Sequence, residues 1–254
     1  MKRVALILLF LTGVAFAAAG QRVCAHRGYW ISDAAKGAQN SIASLRAAGE
    51  AGLWGSEFDV HVSSDDVVVV NHDDEIDGLR IWDNQFSDLV GHRLVNGEPV
   101  PTLGSYLAAA ADYPSMMLVI EFKWQKDRTR SDLMIGLTID MLIARGLLDK
   151  DRVMFISFDY EACLKVASLL PGFEVQYLSG DKSPAELHEA GISGLDYHFS
   201  AFRRHPEWVE EAHRLGMSVN CWTVDETEDI AEMVRLGVDC ITTNRPLEAL
   251  SMCK

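Results

Sequence analysis

The sequence predicts an α/β fold built on one parallel sheet, and three observations support this prediction. Short β-rich runs alternate with helical stretches from residue 21 onward, a pattern typical of parallel strands joined by crossover helices. The length of 254 residues is usual for one α/β barrel. The composition, with 48% hydrophobic and 24% charged residues, is that of a globular protein. An open doubly wound sheet and a closed barrel are both compatible with this pattern.

The predicted strands and helices follow one another along the chain. The strand candidates are Val23–Ala25, Glu57–Val62, Val67–Asn71, Leu118–Phe122, Val153–Ser157, Glu174–Leu178, Gly194–Tyr197, Ser218–Thr223 and Cys240–Thr243. The amphipathic helix candidates are Ser41–Leu53, Ser131–Arg145, Tyr160–Leu169, Pro206–Leu215 and Glu226–Leu236. Gly146, Gly216 and Gly237 each end a helical stretch before the next strand. Residues 74–101 interrupt the alternation, and we expect a short insertion over one end of the barrel.

The second and third strand candidates predict an antiparallel hairpin. Only Ser63–Asp66 separates them, which is too short for a parallel crossover, and the other eight strands then fit a closed barrel. If Ser63 pairs with Asp66, Val70 lies opposite Asp59 and His72 lies opposite Glu57. Glu57, Asp59 and His72 would then share one face of the sheet. A turn that is one residue longer or shorter would move His72 to the other face.

Residues 1–20 predict a cleavable signal peptide. Lys2 and Arg3 precede an apolar run over Val4–Phe16, and small-x-small cleavage sites follow the run. The run is too short to span a bilayer of about 30 Å comfortably, so we expect no stable membrane anchor. The mature chain, residues 21–254, is then expected as one domain in the periplasm or outside the cell.

The charge balance limits the partners of the mature chain. The formal net charge of the whole chain is −14, and loss of the two basic residues of the signal peptide would make it −16. A surface of this charge argues against nucleic acid and against anionic membrane as general partners. An anionic small molecule would need local positive charge. The five cysteines form no CxxC pair and no zinc-binding spacing, and the sequence leaves open whether a disulfide forms.

Polar residues at the ends of the predicted strands are the candidates for a functional site, because βα loops carry the reactive groups of such folds. These residues are His26, Arg27, Glu57, Asp59, His72, Glu121, Lys123 and Trp222. Three carboxylates, Glu57, Asp59 and Glu121, would be costly to bury together without a cation. Oxygen ligands suit Ca²⁺ or Mg²⁺ better than zinc. The alternative is three separate acids in surface ion pairs.

The remaining candidates could act on a phosphate group. His26 and His72 can serve as general acid and base near neutral pH. Arg27 and Lys123 could bind phosphate and supply the missing local positive charge. Trp222 could form a wall of a ligand pocket. Taken one at a time, each of these side chains could equally have a structural role.

Six motifs, taken together and in order, resemble the glycerophosphodiester phosphodiesterases. They are Ala25-His26-Arg27-Gly28, Gly55-Ser56-Glu57-Phe58-Asp59-Val60, Val69-Val70-Asn71-His72-Asp73, Leu118-Val119-Ile120-Glu121-Phe122-Lys123, Val219-Asn220-Cys221-Trp222-Thr223-Val224 and Gly237-Val238-Asp239-Cys240-Ile241-Thr242-Thr243-Asn244-Arg245-Pro246. The resemblance implies a TIM (β/α)8 barrel with an antiparallel hairpin after strand 2 and a short insertion. It also implies hydrolysis of a small phosphodiester to glycerol phosphate and an alcohol.

The same resemblance implies roles for individual residues. Ca²⁺ or Mg²⁺ would be held by Glu57, Asp59 and Glu121, His26 and His72 would form the acid/base pair, and Arg27 and Lys123 would contact phosphate. Two positions depart from the family pattern. Gln39 stands where the family usually has glutamate, although Asn40 is kept, and Asn244 stands where it usually has aspartate.

Three other functions are compatible with parts of this pattern. A glycosidase with two carboxylates would use Glu57 and Glu121 but would not need His26, His72, Arg27 and Lys123 in the same ring. Cleavage of lysophospholipids by a phospholipase D-like reaction would need an apolar groove beside the metal. A phosphate-binding module without activity would have no reason to keep both histidines and all three carboxylates.

Overall fold

The computed structural model of the protein describes residues 21–253. The signal peptide predicted for residues 1–20 lies outside this range. Within the range, no helix has the length and apolar character needed to cross a membrane.

The described residues form eleven strands and ten α-helices. The strands are β1 (Arg22–Ala25), β2 (Gly55–Val62), β3 (Val68–Val70), β4 (Glu75–Ile76), β5 (Leu79–Arg80), β6 (Met117–Phe122), β7 (Val153–Ser157), β8 (Glu174–Tyr177), β9 (Gly194–His198), β10 (Ser218–Trp222) and β11 (Cys240–Thr243). The helices are α1 (Ile42–Glu50), α2 (Phe86–Leu89), α3 (Leu103–Ala110), α4 (Arg128–Ala144), α5 (Tyr160–Leu169), α6 (Pro184–Glu189), α7 (Phe199–Arg204), α8 (Glu207–Arg214), α9 (Thr227–Leu236) and α10 (Pro246–Met252).

Eight parallel strands close into a ring, which confirms the predicted TIM barrel. Their order is β1-β11-β10-β9-β8-β7-β6-β2, and pairing of β1 with β2 closes the ring. All nine predicted strands and all five predicted helices are present, with ends that shift by a few residues. The third strand of the nine, β3, lies outside the ring and pairs antiparallel with β2.

The two edges of β2 explain how the hairpin is placed. One edge pairs with β6 from Gly55 to Val60. The other edge has two partners. The first residues of β2, Gly55 and Ser56, pair with β1, and its last residues, Val60 to Val62, pair with β3. Because β3 is antiparallel to β2, it runs back along β2 toward the end of the short strand β1. The segment that follows β3 therefore meets the segment that follows β1. This meeting point is the carboxyl-terminal mouth of the barrel.

The predicted register of the hairpin is wrong by one residue. Val70 pairs with Val60, not with Asp59, and Val62 pairs with Val68. The reason is a three-residue loop, Ser64–Asp66, in which Asp66 adopts the left-handed region at φ 67°. Ser63 therefore pairs with Val67, whose carbonyl accepts its N–H at 2.9 Å. His72 is not opposite Glu57, because β3 has already ended at Val70.

The core lies on both sides of the barrel wall, because each strand buries both faces. Outward residues such as Phe58, Ile120 and Phe155 pack under the helices, and the ring of Phe58 meets that of Tyr106 on α3 at 4.5 Å. A smaller cluster fills the interior below the mouth; it consists of Cys24, Val119, Met154, Ile156, Leu178 and Cys240. All five cysteines of the described chain are buried free thiols.

Residues 74–101 form the predicted insertion. They contain the short β4–β5 hairpin, a 3₁₀ turn at Ile81–Asp83 and α2. Ile76, Ile81, Leu89 and Val100 pack on Val69, so the insertion has a small apolar cluster of its own against β3. It therefore stands beside the mouth of the barrel and supports the strand that precedes His72.

Candidate active site

The eight predicted site residues meet at the carboxyl ends of the strands. A cavity of about 120 Å³ opens there, and it is lined by His26, Arg27, Glu57, His72, Glu121, Ile156, Phe158, Leu178, Asp196, Trp222, Thr223 and Thr242. Asp59 and Lys123 do not line the cavity but contact its residues through ion pairs. His72 reaches the cavity because the segment after β3 runs to the mouth of the barrel, and not through the strand register that the sequence predicted.

Glu57, Asp59 and Glu121 form a buried acidic cluster. Asp59 and Glu121 are direct partners across β2 and β6, and Glu57 lies two residues earlier on the same face of β2. One oxygen from each carboxylate lies within 4.8 Å of the other two. Burial, followed by repulsion from the neighbouring carboxylates, raises the pKa of Glu57 well above its ordinary value and that of Glu121 to about 8.

Lys123 and Arg27 supply positive charge to this cluster. Lys123 Nζ lies 2.8 Å from Glu121 Oε1 and 3.4 Å from Asp59 Oδ1, while Arg27 Nε lies 3.9 Å from Asp59 Oδ2. Burial alone would raise the pKa of Asp59, but Lys123, helped by other positive and hydrogen-bonding groups, holds it below its ordinary value. Burial disfavours the charged Lys123, yet Glu121 and Asp59 raise its pKa above its ordinary value.

The donor set fits a hard divalent cation. Arg27 N donates to Glu57 Oε2 at 2.7 Å, and Asn40 Nδ2 donates to Asp59 Oδ2 at 2.8 Å, so one oxygen of each carboxylate is held by the protein. The other oxygens, Glu57 Oε1 and Asp59 Oδ1, are buried and accept no hydrogen bond from residues 21–253, although Asp59 Oδ1 keeps its 3.4 Å ion pair with Lys123. Buried oxygens of this kind normally have a partner, and carboxylates are the ligands that Ca²⁺ and Mg²⁺ prefer.

His26 directly follows β1. Its Nδ1 lies 2.9 Å from Asn244 Oδ1, across the pairing of β1 with β11. Burial, and then the positive charge of Arg27, lower the pKa of His26 to about 4. His26 is therefore a neutral imidazole at neutral pH in this arrangement.

His72 lies on the segment after β3, with 36% of its side chain exposed. Its Nδ1 is 2.7 Å from Asp73 Oδ1. Behind it, His61 Nε2 donates to the His72 carbonyl at 3.3 Å, and Gln125 Nε2 donates to His61 Nδ1 at 3.0 Å. Burial lowers the pKa of His61 to about 4, so His61 is a neutral support for the His72 backbone. The sequence prediction did not include His61 or Gln125.

An aromatic wall closes one side of the cavity. Trp222 meets Phe158 and His198 edge-on, each with ring centroids 5.3 Å apart, and Trp222 Nε1 donates to the Asp196 carbonyl at 2.8 Å. The sequence prediction included Trp222 but not the other three residues. Phe158 follows β7 and His198 ends β9, so the strand-end rule that selected the other candidates also applies to these two.

The two departures from the family pattern both contact predicted site residues. Arg27 Nη1 donates to Gln39 Oε1 at 2.7 Å, and Asn244 Oδ1 faces His26 Nδ1. In each case a side-chain oxygen is kept, and the negative charge of the acid is absent.

Known proteins that resemble this chain in sequence and fold are glycerophosphodiester phosphodiesterases. A crystal structure of a glycerophosphodiester phosphodiesterase from Parabacteroides distasonis superposes with a TM-score of 0.89 at 41% identity, over 92% of this chain and 97% of that one. A glycerophosphodiester phosphodiesterase of Caldanaerobacter subterraneus subsp. tengcongensis is 25% identical over 91% of this chain and 97% of its own length. An Oleispira antarctica phosphodiesterase, solved with its product sn-glycerol-3-phosphate, shares the fold with a TM-score of 0.76 at 23% identity, over 92% of this chain and 96% of that one.

The family assignment follows from the extent of the match. The model of the glycerophosphoryl diester phosphodiesterase family matches residues 26–248, which include every candidate site residue. The chain therefore belongs to the glycerophosphoryl diester phosphodiesterase family and is a phosphoric diester hydrolase.

Proposed function

We propose that this enzyme hydrolyses glycerophosphodiesters to glycerol phosphate and an alcohol in a reaction that depends on a divalent cation, with His26 and His72 as general acid and base. The observation that carries the proposal is that three buried carboxylates, two histidines and the positively charged side chains of Arg27 and Lys123 meet at one small cavity. A two-carboxylate glycosidase would not need the histidines and the basic side chains around its acids.

Glu57, Asp59 and Glu121 would hold the cation through carboxylate oxygens, and either Ca²⁺ or Mg²⁺ suits this set. When bound, such an ion supplies Lewis-acid stabilisation of charge on a phosphoryl oxygen. Lys123, now paired with Glu121 and Asp59, would then be free to turn part of its charge to the phosphate. Arg27 adds a second positive group at the same mouth. Together with Lys123 it would supply the local positive charge that an anionic substrate needs in a chain of net charge −14.

The two histidines would divide the proton transfers between them. In the first step, one imidazole takes the proton of a glycerol hydroxyl as its oxygen attacks the adjacent phosphorus. The other imidazole gives a proton to the departing alcohol oxygen as the P–O bond breaks, which leaves a cyclic phosphodiester. In the second step, water loses a proton to one histidine and opens the ring, while the glycerol oxygen regains a proton from the other.

A groove beside the cavity supports lysophospholipids as a second substrate class. It has a volume of about 440 Å³ and shares Glu121 and Phe158 with the cavity; its other lining residues are Phe122, Lys123, Trp124, Asp159 and Tyr160. Its four aromatic residues would give an acyl chain an apolar contact next to the acidic cluster, beside the charged groups of Lys123 and Asp159.

A substrate panel tests the proposal. It contains glycerophosphocholine, glycerophosphoethanolamine, glycerophosphoinositol, glycerophosphoglycerol and lysophosphatidylcholine, each assayed with Ca²⁺ and with Mg²⁺. We expect release of glycerol phosphate from the first four and loss of turnover in chelator. Turnover of lysophosphatidylcholine alone would favour the second class, and release of reducing sugar from a glycan without phosphodiester turnover would contradict the proposal.

The sequence of residues 1–20 supports export as part of this function, with a cleavable leader and a mature enzyme in the periplasm or outside the cell. Sequencing of the N-terminus of the exported protein tests this. We expect a start between Ala18 and Arg22, and intact Met1 on a cytosolic species would contradict it.

A further inference from the structure

The side chain of Asn244 has only one chemically allowed orientation. One end lies 2.7 Å from Asp225 Oδ2, and the other end lies 2.9 Å from Trp30 Nε1. A carboxylate only accepts hydrogen bonds and an indole nitrogen only donates, so the amide nitrogen must face Asp225 and the amide oxygen must face Trp30. The oxygen that faces Trp30 is the same atom that faces His26 Nδ1 at 2.9 Å.

Asp225 is itself held in place. Its Oδ1 accepts from Asn244 N at 2.8 Å and from Thr243 Oγ1 at 3.0 Å, so both of its oxygens have donors. This carboxylate cannot rotate without breaking these bonds. The orientation of the Asn244 amide is therefore fixed by two groups that are independent of His26.

This orientation decides which ring nitrogen of His26 carries the proton. Asn244 Oδ1 can only accept, so His26 Nδ1 must donate and must be protonated in the neutral ring. The second nitrogen, Nε2, then has a free lone pair, because within residues 21–253 the ring of His26 bonds through Nδ1 alone. His26 lines the cavity, so Nε2 is the nitrogen available to a substrate proton.

We propose that Asn244, held by Asp225 and Trp30, is a positioning residue that fixes His26 as the Nδ1-protonated tautomer and so presents Nε2 to the substrate. The proposal rests on the acid/base role of His26 in the proposed function. Asn244 differs from an aspartate at this position in one respect: its amide orients the His26 ring without placing a negative charge against the ring.

The charged groups around His26 define what this difference does. Arg27, Asp59 and His72 act on His26 from the segment after β1, from β2 and from the segment after β3. Arg27 and His72 lower the pKa of His26, and Asp59 raises it. The neutral Asn244, directly after β11, faces the ring, and the charged Asp225 lies behind it, bound to the far side of the Asn244 amide. The hydrogen bond to Asn244 raises the pKa of His26, and a carboxylate in direct contact would raise it further because it adds a negative charge.

Three substitutions separate orientation from charge. Asn244→Leu removes the acceptor, and we expect kcat to fall by about 10²-fold or more with little change in KM, because loss of the correct tautomer in a His-based site costs up to about 10⁴-fold. Asn244→Asp keeps the acceptor and adds charge, and we expect the acid limb of the kcat/KM profile to move up by about one pH unit. Asp225→Asn removes the carboxylate that orients the amide, and we expect a smaller fall in kcat. Asn84→Leu is the control, since the Asn84 amide binds only the Arg80 carbonyl in the insertion.

Nitrogen NMR of the Ca²⁺-loaded enzyme, labelled with ¹⁵N-histidine, reads the tautomer directly, with the His26 signals assigned from their absence in His26→Gln. We expect the Nδ1-protonated pattern in the wild type and in Asn84→Leu, and a mixture of tautomers in Asn244→Leu.

An Nε2-protonated His26 in the wild type would overturn the proposal even if Asn244→Leu failed to fold. An unchanged acid limb in Asn244→Asp, or an unchanged kcat in Asn244→Leu, would also overturn it. If the wild type lacked phosphodiesterase activity, the proposed function would fail, while the tautomer would still be decided by the spectrum.

Discussion

Asp59 and Glu121 are in-register partners on β2 and β6, and both carboxylates are buried at the mouth of the barrel. With Glu57 they form a site in which burial and mutual repulsion raise the pKa of Glu57 and Glu121, so the fully ionised site is unfavourable without a bound cation. An ion that binds only the folded chain stabilises it by about 2.7 kcal/mol at a hundredfold excess over Kd. We therefore expect a chelator to lower Tm and abolish activity, and Ca²⁺ or Mg²⁺ to restore both.

Glu57→Gln is the matched variant for this experiment. It removes one charge from the repelling set, so we expect it to be inactive, to bind the cation weakly and to be no less stable than the chelated wild type. Calorimetry with and without added Ca²⁺ measures both effects. Metal-free wild type that melts unchanged and turns over phosphodiester at the full rate would contradict the role of this cluster.

His26 and His72 are expected to be required for turnover. General acid–base catalysis contributes about 10²–10⁴-fold, so His26→Ala and His72→Ala should each lower kcat by about 10²-fold or more, with cation affinity nearly unchanged. His213→Ala is the control, because His213 lies on α8 and pairs with Asp239 away from the mouth. Near-full turnover in either of the first two variants would assign that histidine a structural role.

Lys123 is expected to act mainly on substrate binding. A hydrogen bond to a charged group contributes about 1.5–3 kcal/mol, so Lys123→Gln should raise KM for a glycerophosphodiester by about tenfold or more. Lys126→Gln removes the same charge three residues later; Lys126 is 60% exposed and, among residues 21–253, its one ion pair is with Asp83. Steady-state kinetics should show no change in that control, and equal KM values in the two variants would rule out a phosphate contact from Lys123.

Asp196 is expected to make stability fall as the pH rises. Its side chain is buried without a hydrogen bond to Oδ1, and burial raises its pKa to about 7. The unfolded chain loses this proton near pH 4 and the folded chain only near pH 7, so the folded state binds the extra proton in between and is destabilised as the pH rises through that window. The loss of folding free energy accumulates between about pH 4 and pH 7, and in total it is on the order of 4 kcal/mol.

Asp196→Asn removes this titration. Urea unfolding should find the variant and the wild type about equally stable near pH 4, and the variant more stable at pH 8. The exposed Asp140→Asn on α4 should show no such divergence. Parallel curves for wild type and Asp196→Asn over this range would mean that Asp196 is not buried as a neutral acid.

The sequence was sufficient to predict the ring of strands and the convergence of all eight candidate residues. Strand ends are fixed by hydrophobic runs, and a parallel barrel brings its strand ends together whatever the packing detail. The hairpin register was not predictable in this way. It depends on whether Asp66 adopts a left-handed conformation, a choice between loops of two and three residues that hydrophobic pattern does not decide.

The missed elements have a common physical reason. Helices α2, α6, α7 and α10 have four to seven residues, too short for a helical period to stand out. Helix α3 is rich in alanine and glycine, so its start is marked mainly by Thr102, whose hydroxyl accepts from Ser105 N. His61, Gln125 and Asp196 lie inside strands or loops, and their roles depend on long-range contacts that no local pattern encodes.

The pairing of β1 with β11 joins the two ends of the described chain at the catalytic mouth. His26 and Asn244 are 218 positions apart, so their contact is among the last that a growing or refolding chain can make. Non-local contacts of this kind form slowly, because the loop entropy must be lost before the contact stabilises anything. A chain released before β11 would contain both histidines and all three carboxylates and still lack a closed ring. Enzymatic activity should therefore appear only once β11 has closed the ring, which would keep a partly synthesised chain inert toward phosphodiesters.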